Sequence, residues 1–226
     1  MLTDDPHEIN DLSTNPEFRE RLIAMRRELT EQVKAMPDLS FIPESILVEE
    51  AMDDPIAYGQ RRKALISNYV DIANLALLPA EKAIPKLREV LQSKDVVDRY
   101  WGYSVCSILG DKVAELTPLA KQSIDQEENS LVKLRACEFL GLTIDSNPVP
   151  VIETILKESD SAVVNLIALQ SLVFFKDGPF DYQVDIDFDS IKTVDSQVVR
   201  RVGYLMGLPE PEIKKRSKLL MKQLRK

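Results

Sequence analysis

The stretch from Val96 to Gly110, VVDRYWGYSVCSILG, decides the fold because it recurs. Residues 130–141, SLVKLRACEFLG, repeat its apolar placement, so that Trp101 falls on Val132, Val105 on Ala136 and Leu109 on Leu140. Working outward, five segments come into register at Tyr69, Trp101, Val132, Val164 and Val199, at intervals of 32, 31, 32 and 35 residues. Four positions on, the register holds Ala73, Val105, Ala136, Ala168 and Gly203; eight positions on, it holds Leu77, Leu109, Leu140, Leu172 and Gly207. An apolar, small, apolar column at i, i+4 and i+8 is one buried helical face. Self-similarity at this period predicts stacked supersecondary units, each unable to bury its apolar face alone.

Each registered helix is expected to be the inner member of a pair. The pairs are 81–92 with 96–109, 114–124 with 130–142, and 149–158 with 160–175. A first inner helix over 64–77 has no evident outer companion, and 196–207 with 211–225 closes the chain after an insertion at 176–187. Pro85, Pro118 and Pro150, spaced by 33 and 32 residues, are each expected near a first turn, where a missing amide hydrogen costs little. Ahead of the repeats, Asn15, Pro16 and Glu17 start a helix whose apolar positions Phe18, Leu22, Met25, Leu29 and Val33 carry it to about Met36. A short helix over residues 44–51 follows, then a connector over 53–60 containing Asp54 and Pro55.

The tetratricopeptide signature is missing, and only Thr117, Pro118 and Leu119 echo an ankyrin unit, with Ala120 where His belongs. An apolar helix, an Asp-containing turn (Asp95, Asp160, Asp195) and a Val-rich inner helix resemble short HEAT-like repeats. The expected fold is all-α: a right-handed α-solenoid of short HEAT-like helix pairs, an α-α superhelix.

Charge and composition narrow the function. No apolar run reaches the roughly 18 residues that span a bilayer, and Asp4, Asp5 and Glu8 do not open a signal peptide. The net charge is −8, and residues 213–226 hold seven Lys or Arg and no acid, which leaves −15 on the rest. An acidic body weighs against nucleic acid as a partner. The basic last helix reads as a solvated face beside a helix C-terminal dipole, or as a surface for an acidic partner.

Catalytic chemistry is not assembled from these residues. His7 is the single histidine and lies in the acidic start, which excludes a His-based dyad or triad. Cys106 and Cys137 occupy equivalent positions of adjacent repeats, roughly 8 to 10 Å apart by helix packing, too far for a disulfide. Two free, buried thiols are expected. Asp185, Asp187 and Asp189 alternate with Val184, Ile186 and Phe188. Their spacing matches the opening of a calcium loop, but Ser190 and Ser196 stand where that loop needs Gly and Glu; an extended segment with one face buried and one wet explains the alternation better. Asp125, Glu127 and Glu128 read as a solvated loop. Tyr100, Trp101 and Tyr103 read as packing material. Gly102, Gly110, Gly141, Gly203 and Gly207 lie in or just after inner helices, as packing or terminating residues. No catalytic, cofactor-binding or metal-binding residue is assigned.

Leu2, Thr3, Asp4, Asp5, Pro6, His7, Glu8, Ile9, Asn10, Asp11 and Leu12, followed by Asn15, Pro16, Glu17, Leu22, Arg26, Arg27 and Leu29, resemble the end of the sulfatase catalytic domain. In that family a final strand, Leu-Tyr-Asp-Leu, leads into Asp-Pro-x-Glu-x-x-Asn-Leu and then a last helix opening with Pro-Glu. Leu2 stands at the end of the strand motif, Asp5, Pro6, Glu8 and Leu12 match, and Asp11 replaces Asn. From Asp54, Pro55 and Tyr58 through Tyr100 and Trp101 the chain is similar to the helical-repeat extension of some bacterial sulfatases.

The resemblance implies a domain tail over residues 1–52 and a HEAT-like repeat domain over 53–226. It also implies a parent sulfuric ester hydrolase that uses calcium and formylglycine and is periplasmic or secreted. The family's Cys/Ser-x-Pro-x-Arg motif is absent: Cys106 precedes Ser107, Ile108, Leu109 and Gly110, and Cys137 precedes Glu138, Phe139, Leu140 and Gly141. The expectation is therefore a non-enzymatic, C-terminal structural or interaction module without a cofactor, whose partner is the upstream catalytic domain. The alternative is a stand-alone HEAT-like adaptor for another protein. A HEAT-like DNA glycosylase would need a basic groove, which the acidic body opposes.

Overall fold

A computed structural model describes residues 5–7, 9–143, 146–180, 182–187, 191–193 and 195–223. Among these there is no strand, and the fold is all-α. The helices are α1 (Arg19–Ala35), α2 (Glu44–Glu50), α3 (Pro55–Arg61), α4 (Lys63–Ala73), α5 (Ala80–Val90), α6 (Val96–Leu109), α7 (Thr117–Gln126), α8 (Ser130–Thr143), α9 (Val149–Glu158), α10 (Ala162–Asp177), α11 (Ser196–Leu205) and α12 (Glu210–Gln223).

Their packing follows chain order. Helices α4, α6, α8, α10 and α11 form one layer in which each touches the next, while α5, α7, α9 and α12 pack against α6, α8, α10 and α11. The expected register carries the first layer: Tyr69, Val132 and Val199 are buried, and so are Val105, Ala136 and Ala168 four positions on. Helix α8 shows why this layer is continuous. Its Leu134 and Cys137 join the cluster with α9, α10 and α11, whereas Val132, Ala136, Phe139 and Leu140 join the cluster with α5, α6 and α7. A helix apolar on several sides is a buried helix, and each of its buried Val, Leu and Phe side chains contributes about 1.5–3 kcal/mol on leaving water.

The third column of the register fails at both ends. Leu140 and Leu172 are buried, but Leu77 is 49% exposed because α4 stops at Ala73 and Asn74–Leu77 winds as a 3-10 turn. Gly207 lies beyond α11 with φ 67°, and its neighbour's amide, Leu208 N–H, donates to the Gly203 carbonyl at 2.9 Å. Such a left-handed turn ends a helix cheaply only at glycine. Gly141 serves close approach instead, since a Cβ there would stand 2.7 Å from the Phe175 ring and 2.8 Å from Pro148.

Several local expectations are corrected. Residues 55–61 form α3, not a connector: Asp54 accepts from the Ala57 amide at 2.9 Å and Pro55 takes the first turn, repeating the start signals at Asn15 and Pro16. Pro85 lies inside α5, whose start at Ala80 follows Pro79. The pair member expected from 114 begins at Thr117 because residues 110–116 are a kinked 3-10 segment. Asp95 and Asp195 do cap α6 and α11, but Ser161 caps α10, leaving Asp160 exposed and paired with Lys192 at 3.6 Å. The first layer helix, which lacked an evident companion, packs against α1.

The insertion belongs to the core. Phe180 stacks on Tyr182 with ring centroids 5.8 Å apart, Tyr182 donates to the Gly141 carbonyl at 3.0 Å, and Ile186 and Ile191 are buried among residues of α9, α10 and α11.

Candidate functional site

The residues considered for chemistry are dispersed. His7 is exposed. Cys106 and Cys137 are buried and unbridged, as expected, and burial pushes both thiols up to about 12, which keeps them protonated and unreactive. Ile186 is buried while Asp185 and Asp187 are exposed, the alternation expected of a one-sided extended segment; Asp189 lies outside the described residues. Among the described residues no three His, Cys, Asp or Glu side chains converge on a metal-sized site. Tyr103 is fully buried, with its hydroxyl 3.1 Å from the Leu119 carbonyl.

Glu127 is the clearest departure among the acidic residues. It is not a solvated loop carboxylate: its side chain is 10% exposed, and it accepts from Arg99 Nε at 2.8 Å and Nη2 at 3.0 Å, while Arg99 Nη1 donates to the Ser93 carbonyl at 2.7 Å. Burial alone would raise the Glu127 carboxyl. The guanidinium and the Asn129 amide outweigh burial and hold it below the ordinary value. The fork ties the start of α6 to the turn before α8, as Tyr69 of α4 is tied to Asp95 and Asn165 of α10 to the Thr193 carbonyl. Both side chains of the fork line a cleft of about 460 Å³, together with Gln92, Gln122 and Gln126. Both charges are satisfied by each other, so the fork is a strut.

A second, partly buried pair lies on α8. Glu138 accepts from Arg135 Nη1 and from the Ser171 hydroxyl of α10, each at 2.5 Å, and the Arg135 guanidinium lies 5.2 Å from the Tyr100 ring centroid. Burial raises the Glu138 carboxyl against the pull of Arg135 and Ser171. The i, i+3 spacing of Arg135 and Glu138 is visible in the sequence; that Ser171 and Tyr100 close around them is not.

Two surfaces stand out. The first is α1, none of whose residues is buried. It meets α4 through its polar flank, where Asn74 donates to the Thr30 hydroxyl at 3.1 Å and Lys34 pairs with Asp71. At 100° per residue, the apolar stripe of Phe18, Leu22, Met25, Leu29, Val33 and Met36 is centred roughly a third of a turn away from that flank. Met25 is 59%, Leu29 61% and Met36 65% exposed. Phe18, Leu22 and Val33 are half-buried, so part of the stripe is covered and part is presented to solvent, with Ile9 and Leu12 exposed nearby in sequence.

The second is the ground where residues 39–51 meet α4, α6 and α10. Trp101, half-buried, donates its indole N–H to the Phe41 carbonyl at 2.8 Å, and α2 reaches α10. The expectation that Trp101 packs holds, with a polar contact that no register could have located.

The basic end of the chain is tempered locally. Helix α12 opens with Glu210 and Glu212, which pair with Lys214 at 2.6 Å and Arg216 at 3.0 Å, one turn on. No helix among the described residues is long and apolar enough to cross a membrane. No family model, curated protein or solved structure matches the chain.

Proposed function

We propose that this chain is the C-terminal, non-catalytic helical-repeat portion of a sulfatase-like polypeptide, with a domain tail over residues 1–52 and a right-handed solenoid of short HEAT-like pairs over 53–226. The exposed stripe on α1 carries this reading. A helix with apolar residues at 18, 22, 25, 29, 33 and 36 is patterned to be covered on that side, and nothing in the described chain covers Met25, Leu29 or Met36. In the sulfatase resemblance this helix is the last of the catalytic domain, so its cover is the body of that domain. The array then acts structurally, fixed to the catalytic domain and shaping access to it. Cys106 and Cys137, buried and without the formylglycine motif, take no part in ester hydrolysis.

The reading is tested by co-expressing this chain with the domain encoded upstream in the same frame, where a Cys/Ser-x-Pro-x-Arg motif is expected. The two parts should co-purify, and Leu29→Asp should separate them while leaving the circular dichroism of the isolated chain unchanged. The isolated chain should not hydrolyse an aryl sulfate. An upstream region without that motif, or turnover dependent on either cysteine, refutes the proposal. A second reading, a free-standing adaptor, is favoured by one observation: residues outside the repeats already bring a helix, α2, against α10.

A further inference from the structure

Helix α1 runs past the array that holds it. Its hydrogen bond and ion pair with α4 come from Thr30 and Lys34. Ile23, on the same line of the helix about two turns earlier, is 57% exposed. Of residues 19–29 only Leu22 is half-buried, and the rest are exposed. About three turns of helix without tertiary cover are marginal in water. This half of α1 nonetheless carries Met25 and Leu29 in the open part of the stripe, and an exposed apolar patch rimmed by polar residues marks a contact surface.

The rim identifies the chemistry of what it meets. At 100° per residue, Arg21 borders Met25 and Leu29 on one side, and Arg19 and Arg26 border them on the other. The other cations of the helix are paired, Arg27 with Glu31 at 4.0 Å and Lys34 with Asp71, but among the described residues no carboxylate meets Arg19, Arg21 or Arg26. A second copy supplies none. Two α1 stripes packed antiparallel, with Met25 opposite Leu29, set Arg26 against Arg26 and Glu28 against Glu28; packed in parallel, they set Arg21 against Arg26. Like charges at those rim positions oppose self-pairing. An anionic lipid surface fits no better, because the side of the helix opposite the stripe carries Glu20 and Glu31 and the chain has a net charge of −8.

We propose that the projecting half of α1 docks into an apolar groove of a partner protein, bordered by carboxylates on both sides. Met25 and Leu29 fill the groove, and Arg21 on one border and Arg19 and Arg26 on the other pair with the partner's acids, for which the guanidinium fork is suited. The inference rests on the proposed docking of α1 and adds the chemistry of the surface that receives it. In the sulfatase-like reading that surface belongs to the upstream domain.

The test uses the full chain and two labelled synthetic peptides of about three heptads, with Leu at a and d and either Glu or Lys at e and g. Fluorescence anisotropy should show the Glu peptide binding at least about tenfold more tightly than the Lys peptide at about 0.05 M salt, a preference that shrinks at about 0.5 M. Arg21→Glu with Arg26→Glu, both at exposed positions, should reverse the preference, and Leu29→Asp should abolish binding of both peptides. Equal binding of the two peptides, binding of neither, or capture of the chain by vesicles containing phosphatidylserine overturns the inference. So does a dimer of the chain in sedimentation that Leu29→Asp dissociates. The upstream domain is a separate arm. If it co-purifies, the double arginine variant should weaken the complex by at least about tenfold at about 0.05 M salt, and an unchanged affinity overturns the inference. If it does not co-purify, the sulfatase-like reading fails, while the peptide comparison still decides the chemistry of the border.

Discussion

The Arg99–Glu127 fork makes a prediction whose sign depends on which partner is removed. Glu127→Ala deletes two charge-assisted hydrogen bonds, of 2.8 and 3.0 Å, and leaves a guanidinium whose side chain is only 16% exposed. Breaking a buried pair from one side costs about 3–5 kcal/mol. The surviving bond from Arg99 to the Ser93 carbonyl and the small opening to solvent place this case at the lower end, about 3 kcal/mol. With an unfolding entropy of about 2.1 cal/mol/K per residue over the 226-residue chain, that is a fall in Tm of about 6 °C. The double replacement Arg99→Met with Glu127→Leu removes both charges and keeps the volume, so it should lie within about 1 kcal/mol of the wild type and above the single variant. Urea unfolding followed by circular dichroism and by Trp101 fluorescence measures both. The pH dependence adds an independent check. Because the folded-state carboxyl of Glu127 is held below its ordinary value, its contribution is complete above the unfolded value and is lost as pH falls through the folded one. Glu127→Ala should therefore flatten the acid limb of the stability profile. A single variant costing under about 1 kcal/mol, or a double variant less stable than the single, would refute the strut.

Three further outcomes are expected. Gly141→Ala drives a methyl into the Phe175 ring and Pro148, where 2.7 Å separates positions that need well over 3 Å, and should cost about 1–3 kcal/mol in thermal unfolding; a neutral result would mean that α8 and α10 slide apart freely. Cys106 and Cys137, buried and with thiols raised to about 12, should react with a disulfide reagent only after addition of denaturant, and stoichiometric labelling of the native chain would contradict their placement. Leu29→Asp, at a position 61% exposed, should change the stability of the isolated chain by no more than about 0.5 kcal/mol; a large loss would show that α1 is covered from within.

What the sequence made legible is the part of the structure that repeats. The 3.6-residue periodicity of side chains places Tyr69, Val132, Ala136 and Ala168 on one face whatever else the chain does, and capping chemistry is local, so Asn15 and Asp95 could be recognised without a fold. The same local signal at Asp54 and Pro55 was legible too, but a seven-residue helix between two others is easily taken for a connector. Glu127 escaped for a different reason. A carboxylate in a loop and a carboxylate in a buried fork have the same neighbours in sequence, and only the approach of Arg99, 28 residues earlier, distinguishes them. The helix α1 was legible as a helix and as amphipathic, yet its apolar stripe and the flank that meets α4 are different faces, and periodicity cannot say which face a neighbour will take.

The candidate site was least legible because it lies where the register is broken. Tyr69 and Trp101 replace the valine of the column, and both carry a polar group: the Tyr69 hydroxyl donates to Asp95 at 3.2 Å, and the Trp101 indole to Phe41. A repeat that needed only to stack would keep valine there, since each buried N–H or O–H must find an acceptor or lose about 1–3 kcal/mol. A large amphipathic side chain in an otherwise aliphatic column therefore marks a polar contact beyond simple stacking: for Tyr69 with the cap of the next layer helix, for Trp101 with a segment outside the repeats. Trp101 meets residues 39–51 in this way, and the later copies, which retain valine, place no polar group in the column that needs a partner.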